Sequence, residues 1–567
     1  MAPAPPPISF PLPDQPWIPA LNLQGEPVLC SLRELLLSPG PAALLRLSGL
    51  TPEEDAATWR VILALTRRAL GPDPQGAPAR MQRWMTSGTI PEEDRVLIGA
   101  YIDRWATRLD LFGATPFMQV GDLQETGTQL ASARTFSRVD PINRLSLSLA
   151  TQHNTALVFQ LDMRTTERLD RAPLTPAQAV TRLLGFQGFA PGGLIQRTIT
   201  SAQNGASLGS WVGMPIGANL LESLALALAG IRWNDADLPS WEWDPLTEAG
   251  LRETLGRKAQ HWPLPAGPCA LYTWPGRALR LRPAVTDSGE VLISEVLHDV
   301  GQPVARGEAA QLAVALADPW RIPGAVRDVP LRPWQVQALT AGYGKKGDLR
   351  PGPAAAAQLL YDLGPVHPAL HAAEDLFGED LFADLDSGHA ADQVAIEVPD
   401  AAYGPAPRLL NVEFVGLLTS QSKVLASWRV SGALPGVPLD STAEVLLSLK
   451  HAWDATAALS LRLWRMHREV GRVTGLEGRG KYQLRSSSGA AYDASLERRL
   501  QTLTHALAAG LDPREATNMW SRSVRRLSRR TLDRLTQEWS TSPRLLDAAA
   551  QFEGAFMTEV SRYTYDR

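Results

Sequence analysis

The 567-residue sequence contains only two cysteines, Cys30 and Cys269, and they lie far apart in the chain. Neither forms a CxxC pair, which excludes the usual zinc and dithiol motifs and favours a reducing compartment. The sequence also lacks any run of about 18 apolar residues and any basic-then-apolar leader, so we expect neither a membrane helix nor a signal peptide. These absences predict a soluble cytoplasmic protein without a cysteine-bound metal.

Lysine is almost as scarce as cysteine. Six of the 55 basic residues are lysine and 49 are arginine, a bias that suits phosphate binding but that a GC-rich genome also explains, and we favour the genome. The net charge of -4 does not by itself indicate nucleic-acid binding. The charge is uneven, however: residues 441–567 contain 20 basic and 14 acidic residues, whereas residues 1–440 contain 35 and 45.

The pattern of apolar residues changes along the chain. Short alternating runs, typical of strands, lie between helical segments in the first 440 residues. Long helices follow, and the first carries an apolar stripe at steps of three and four residues. The residues of this stripe are Leu459, Leu463, Met466, Val470 and Val473. The sequence therefore predicts an α+β protein, with a large mixed α/β N-terminal domain over residues 1–440 and a C-terminal four-helix bundle over residues 441–567.

Two patterns indicate a hydrolase. Residues 205–209 match G-x-S-x-G, in which a strained turn exposes a nucleophile, here Ser207. The preceding TSAQN is polar and Pro215 interrupts the expected helix, so the context argues against a nucleophile. His367 and His371 stand four residues apart and would bind a metal from one helix face, although surface histidines explain them better without an HExxH glutamate. A hydrolase that uses Ser207 or a His367/His371 metal site is the alternative function.

Two other stretches resemble presented loops. GFQGFAPGGL, residues 185–194, places Gly192 and Gly193 after a predicted helix, and glycine backbone can approach a ligand closely. The residues alone fit a simple helix terminator equally well. In EFVGLLTSQSKVLASWR, a short polar turn around Gln421 separates an apolar run from VLASWR, for which we predict a helix.

Six segments resemble, in the same order, the family of CasA, the large subunit of the type I-E CRISPR Cascade complex. They are DQPWIPAL with SLRELL, IDRWATRLDLFGATPFMQV, QHNTALVFQ, GFQGFAPGGL, DLPSWE and EFVGLLTSQSKVLASWR. The resemblance covers nearly the whole chain and is poorest between about residues 283 and 405. It implies a non-catalytic subunit without cofactors that recognises the protospacer-adjacent motif in double-stranded DNA, helps to open the duplex and stabilise the R-loop, and recruits a helicase-nuclease.

The partners implied by the resemblance are the backbone, small and guide-end-binding subunits, CRISPR RNA, double-stranded target DNA and the helicase-nuclease, with no membrane. Some relatives bind zinc through cysteines in the middle of the large domain. Because Cys269 has no cysteine near it in the sequence, we expect no metal here.

The resemblance also implies roles for individual residues. The duplex beside the motif would contact Gly192, Gly193 and one of Lys345 and Lys346. The wedge that enters the duplex falls on Ser420, Gln421, Ser422 and Lys423. A loop for guide RNA and duplex begins near Phe159 and includes Gln160 and Arg164. Displaced DNA would bind Arg522, Arg525, Arg526 and Arg529, although a solvated helix face is an equally ordinary interpretation of these arginines.

Overall fold

A computed structural model of the chain describes residues 8–128, 135–147, 172–193, 202–307, 314, 317–323, 351–363, 409–420, 423–435, 442–473, 487–508, 511–540 and 542–564. Within these ranges the model has no helix with the length and apolar character needed to cross a bilayer.

Twelve strands lie in the described ranges. They are β1 Ile18–Asn22, β2 Pro27–Cys30, β3 Leu44–Leu47, β4 Thr126–Thr128, β5 Thr135–Ser137, β6 Val139–Pro141, β7 Ser210–Ile216, β8 Arg277–Val285, β9 Val291–Val300, β10 Arg321–Pro323, β11 Leu409–Ser420 and β12 Lys423–Pro435. Their sheets have the orders β2-β1-β3, β4-β5, β6-β9-β8 and β10-β7-β11-β12.

Thirteen α-helices lie in the same ranges. They are α1 Leu32–Leu36, α2 Pro52–Leu70, α3 Ala77–Ser87, α4 Glu92–Trp105, α5 Pro176–Phe189, α6 Leu220–Ala229, α7 Glu248–Gly256, α8 Pro268–Tyr272, α9 Pro351–Leu363, α10 Thr442–Val473, α11 Ser487–Ala508, α12 Pro513–Trp539 and α13 Pro543–Tyr563.

Helices α2 and α5 both begin at a threonine followed by proline. The Thr51 side chain accepts a hydrogen bond from the Glu54 amide at 3.4 Å. The Thr175 side chain accepts one from the Gln178 amide at 3.3 Å, and the Gln178 side chain accepts one from the Thr175 amide at 3.1 Å, which completes a capping box. Helix α2 is buried along most of its length and packs against α4, α5 and α8. Local signals thus fix where these helices begin, and packing fixes their faces.

The four C-terminal helices pack on one another. Helix α10 contacts α11, α12 and α13, and α12 also contacts α11 and α13. Leu459, Leu463, Met466 and Val470 of the predicted stripe are at most 2% exposed. The predicted fold class, a mixed α/β part followed by a four-helix bundle, is confirmed.

The described parts of the chain form two compact units. One unit comprises Met1–Leu331, Arg350–Ala356 and Val412–Ser431, and the other comprises Arg332–Leu349, Ala357–Asn411 and Gly432–Arg567. The domain boundary at residue 440 stays a prediction. All contacts described below between the glycine loop, α2 and strand β12 lie within the first unit.

The helix predicted for VLASWR is wrong, because these residues belong to strand β12, which lies beside β11 in a four-stranded sheet. Contacts of the strand with other segments explain the difference. The Arg429 guanidinium lies 3.0 Å from the Glu413 carboxylate on β11, and the Ser427 hydroxyl donates to the Glu53 carboxylate at 2.9 Å. Partners distant in sequence therefore override the helical propensity of leucine and alanine here.

Leu459→Ala should destabilise the bundle locally by about 2–5 kcal/mol, because a fully buried leucine loses its contacts and leaves a cavity. Leu461 on the same helix is 46% exposed, so Leu461→Ala is the matched control and should stay within about 0.5 kcal/mol. Hydrogen exchange of the α10 amides measures both effects. Equal losses of protection in the two variants would contradict this assignment of the core face.

Candidate nucleic-acid interface

The glycine loop is residues 190–193, which follow the end of α5 at Phe189. Gly193 and Ala202 pair through two backbone hydrogen bonds, from the Gly193 amide to the Ala202 carbonyl at 3.0 Å and from the Ala202 amide to the Gly193 carbonyl at 2.8 Å. The Gly192 amide donates to Asn204 Oδ1 at 2.7 Å. The loop is therefore fastened along its length to the segment that begins at residue 202.

Both glycines are required by the fold of the loop itself. A Cβ on Gly192 would lie 2.8 Å from the Ala202 carbonyl oxygen and 3.0 Å from the Asn204 amide nitrogen. Gly193 has φ +149°, which side-chain-bearing residues rarely adopt. Since both glycine amides bond within the protein, the loop offers a ligand close approach of its backbone and not these two N–H donors.

Arg277, the first residue of β8, holds the glycine loop from below. Its guanidinium donates to the carbonyl oxygens of Pro191 at 2.9 Å, Ala190 at 3.3 Å, Gln203 at 2.7 Å and Gly276 at 3.1 Å. The residue is 2% exposed, and no carboxylate pairs with it among the described residues. Burial lowers the pKa of Arg277 to about 10, so the side chain stays charged at neutral pH and joins the two sides of the loop.

The first turn of α2 consists of three buried acids, Glu53, Glu54 and Asp55. Glu54 forms an ion pair with Arg182 of α5, the helix that ends in the glycine loop. Burial raises the pKa of Glu54 to about 7, against the opposing effect of the Arg182 charge. Acidic residues in a first helical turn usually face solvent, so the sequence gives no sign that this turn is a buried junction.

Strand β12 contacts the same turn. Arg429 forms ion pairs with Asp55 and with Glu413 of β11, and Ser427 bonds to Glu53. Burial raises the pKa of Glu413, which the nearby Arg429 charge opposes. The first turn of α2 therefore holds both the helix that carries the glycine loop and the strand that begins at Lys423, next to the predicted wedge.

The structure places the predicted wedge only in part. Ser420 is the last residue of β11 and Lys423 is the first residue of β12. Gln421 and Ser422 lie outside the described residues. The same is true of Lys345 and Lys346, of Phe159, Gln160 and Arg164, and of His367 and His371.

The arginines predicted to bind displaced DNA fall into two groups on α12. Arg522, Arg526 and Arg529 are exposed at steps of four and three residues, and none of them forms an ion pair with another described residue. Arg525 is half-buried instead, and its guanidinium donates to the carbonyl and, at 3.2 Å, to the hydroxyl of Thr564. Arg525 thus satisfies the end of α13, while the other three present positive charge to solvent.

The structure gives Ser207 a structural role. The side chain is 3% exposed, and its hydroxyl accepts a hydrogen bond from Arg60, which also pairs with Asp318. A strand, β7, begins at Ser210 where a nucleophile elbow would continue as a helix. Among the described residues no cluster of three His, Cys, Asp or Glu could hold a metal.

Comparison with known proteins decides the family. The family model of CRISPR-associated protein Cse1 matches residues 11–531. The chain belongs to the Cse1 family. A curated Cse1 relative, the CRISPR-associated protein CasA/Cse1 of Thermus thermophilus, is 36% identical over 275 residues, which are 48% of this chain and 49% of the relative. The match thus spans about half the length of that relative, and the predicted resemblance to CasA is confirmed.

Solved Cse1 structures share the fold. Thermus thermophilus CasA is 23% identical with a TM-score of 0.67, and the match covers 98% of this chain and 99% of that one. Thermobifida fusca Cse1 is 20% identical with a TM-score of 0.66 and 98% coverage of both chains. A chain of a CRISPR RNA-guided surveillance complex is 19% identical with a TM-score of 0.63, covering 97% of this chain and all of that one. Identities this low establish the fold and leave the roles of single residues open.

Arg429→Met should loosen strand β12 by about 1–3 kcal/mol, because the buried Asp55 and Glu413 carboxylates both lose a charged donor. The control is Arg257→Met, which removes a surface pair with Glu253 that is 54% and 71% exposed and should cost less than about 1 kcal/mol. Hydrogen exchange of β12 amides reports the first effect and that of α7 amides the second. Unchanged protection of β12 in Arg429→Met would show that the junction does not hold the strand.

Proposed function

We propose that this chain is the non-catalytic large subunit of a type I-E CRISPR Cascade surveillance complex. In this role it recognises the protospacer-adjacent motif in double-stranded DNA, helps to open the duplex and stabilise the R-loop, and recruits the helicase-nuclease. The observation that carries the proposal is the Cse1 family match over residues 11–531. Residues 1–440 would form the motif-recognition domain and residues 441–567 the bundle, and the complex would act in the cytoplasm.

The glycine loop suits contact with the minor groove. That groove is only about 6 Å wide, so a loop without side chains at its tip reaches the base edges more easily than one with them. Gly192 and Gly193 lie at the tip of a loop whose backbone is fixed by Arg277 and by the pairing with Ala202. Lys345 or Lys346 would add a positive charge for the phosphates or the groove.

The wedge would act at the turn between β11 and β12. Separating a base step costs a few kcal/mol, which a side chain inserted into the gap partly offsets. Gln421, with Ser420, Ser422 and Lys423 around it, would occupy that gap. The support for this assignment is that β12 starts at Lys423 and is held to the first turn of α2 by Arg429.

The remaining contacts follow the same assignment. Phe159, Gln160 and Arg164 would contact the guide RNA and the duplex, and the exposed arginines of α12 would contact the displaced strand. The other Cascade subunits, CRISPR RNA, target DNA and the helicase-nuclease would be its partners. Because Arg525 bonds to Thr564, we assign the displaced strand chiefly to Arg522, Arg526 and Arg529.

Gln421→Ala should slow opening of a fully paired target far more than binding of a target whose first pairs beside the motif are mismatched, because the wedge offsets only the cost of opening. A fluorescent base analogue next to the motif, read in the assembled complex, follows this step. The wild-type complex must also prefer duplexes that carry the motif. Without that preference the proposed function fails, and equal slowing of both targets would reject Gln421 as the wedge.

Exchanging Arg522, Arg526 and Arg529 for glutamate should weaken binding of displaced DNA, because fewer counterions are released per complex. The slope of log affinity against log salt should fall by about 0.7 for each lost phosphate contact on single-stranded DNA. A triple glutamate variant of three exposed arginines off this stripe, Arg514, Arg544 and Arg562, is the control. Identical salt slopes in the two variants would show that the α12 stripe is only a solvated face.

A further inference from the structure

Two neighbouring amide side chains lie beside the glycine loop and differ in how they are satisfied. Gln203 uses both ends of its amide, since Nε2 donates to the Val304 carbonyl at 2.8 Å and Oε1 accepts from the Val304 amide at 2.6 Å. Asn204 uses only its oxygen, which accepts from the Gly192 amide at 2.7 Å. Gln203 is thus a structural link, and Asn204 has a donor left over.

The orientation of the Asn204 amide follows from this bond. The Gly192 backbone can only donate, so the atom facing it must be Oδ1, and Nδ2 must point away from the loop backbone. Asn204 is exposed, and Nδ2 has no hydrogen-bond partner among the residues that the structure describes. An N–H donor of fixed direction therefore stands beside Gly192.

We propose that Asn204 is a specificity-determining residue for the motif, whose Nδ2 donates to an acceptor on the minor-groove edge of the base pair that faces the glycine loop. The inference rests on the proposed function. A·T and T·A pairs show only acceptors in the minor groove, whereas G·C adds the guanine N2 amino donor. A donor held at this position fits the first kind of pair and opposes the second, so the pair that faces Asn204 lacks a minor-groove amino group.

The surroundings of Asn204 distinguish it from an ordinary solvated amide. The Gly193–Ala202 pairing precedes it, and the Gly205 amide after it donates to the Ala190 carbonyl at 2.8 Å. Backbone bonds thus hold the chain on both sides, and the bond to Gly192 holds the side chain. A donor already ordered in the free protein loses little conformational entropy on binding, which favours its use in recognition.

The test separates the amino group from every other property of the base pair. Each motif position is substituted in turn, 2,6-diaminopurine for adenine to add the amino group and inosine for guanine to remove it, and binding of the assembled complex is measured. At one position the wild-type complex should bind about tenfold more weakly when the amino group is present. Asn204→Ala should reduce that ratio to less than about twofold.

Asn204→Asp is the matched variant. Its carboxylate still accepts from the Gly192 amide but replaces the Nδ2 donor with an acceptor, so the preference against the amino group should vanish or reverse. Repulsion between the added charge and the phosphates cancels, because the compared duplexes carry equal charge. Wild-type hydrogen exchange of the loop amides in this variant shows that the loop is retained.

Three results discriminate the possibilities. The same sensitivity to the amino group in wild type, Asn204→Ala and Asn204→Asp would overturn the assignment of Asn204. Absence of a responsive position in a wild-type complex that does prefer the motif would also overturn it. A wild-type complex without any motif preference would instead reject the proposed function, on which this inference depends.

Discussion

The buried first turn of α2 is the interaction on which the proposed site depends. Three adjacent carboxyl groups are removed from water there, and Arg182 from α5 and Arg429 from β12 neutralise two of them. Losing one partner of a buried pair costs more than the pair contributes, because a charge is left without compensation. Helix α5 and strand β12 therefore cannot shift away from α2 without a large penalty, and the turn fixes their relative position.

Arg277 places a second constraint on the glycine loop. A guanidinium buried without a carboxylate must be solvated by dipoles, and four carbonyl groups from both sides of the loop supply them. The loop thus surrounds the charge in a single arrangement. Because that arrangement uses the amides of Gly192 and Gly193, the side chain of Asn204 is the donor that remains for a partner.

Local signals in the sequence predicted the local structure and missed what depends on distant contacts. The cap at Thr175 and the stripe from Leu459 are written in consecutive residues, and both are found as expected. VLASWR forms a strand because its partners lie on β11 and α2. Arg525 is indistinguishable in the sequence from Arg522, and the burial of Arg277 and the bond that orients Asn204 have no sequence signature at all.

Within the proposed function, this architecture explains how motif recognition and duplex opening work together. Residues 192 and 204 would recognise the motif and residues 420–423 would open the adjacent pairs, although more than 200 positions separate them in the chain. Opening a base step costs a few kcal/mol, so binding at the motif assists opening only if the wedge cannot retreat from the duplex. A flexible connection would let it retreat. The ion pairs of Glu54 and Asp55 supply the required stiffness, since both parts are held to adjacent residues of one helical turn.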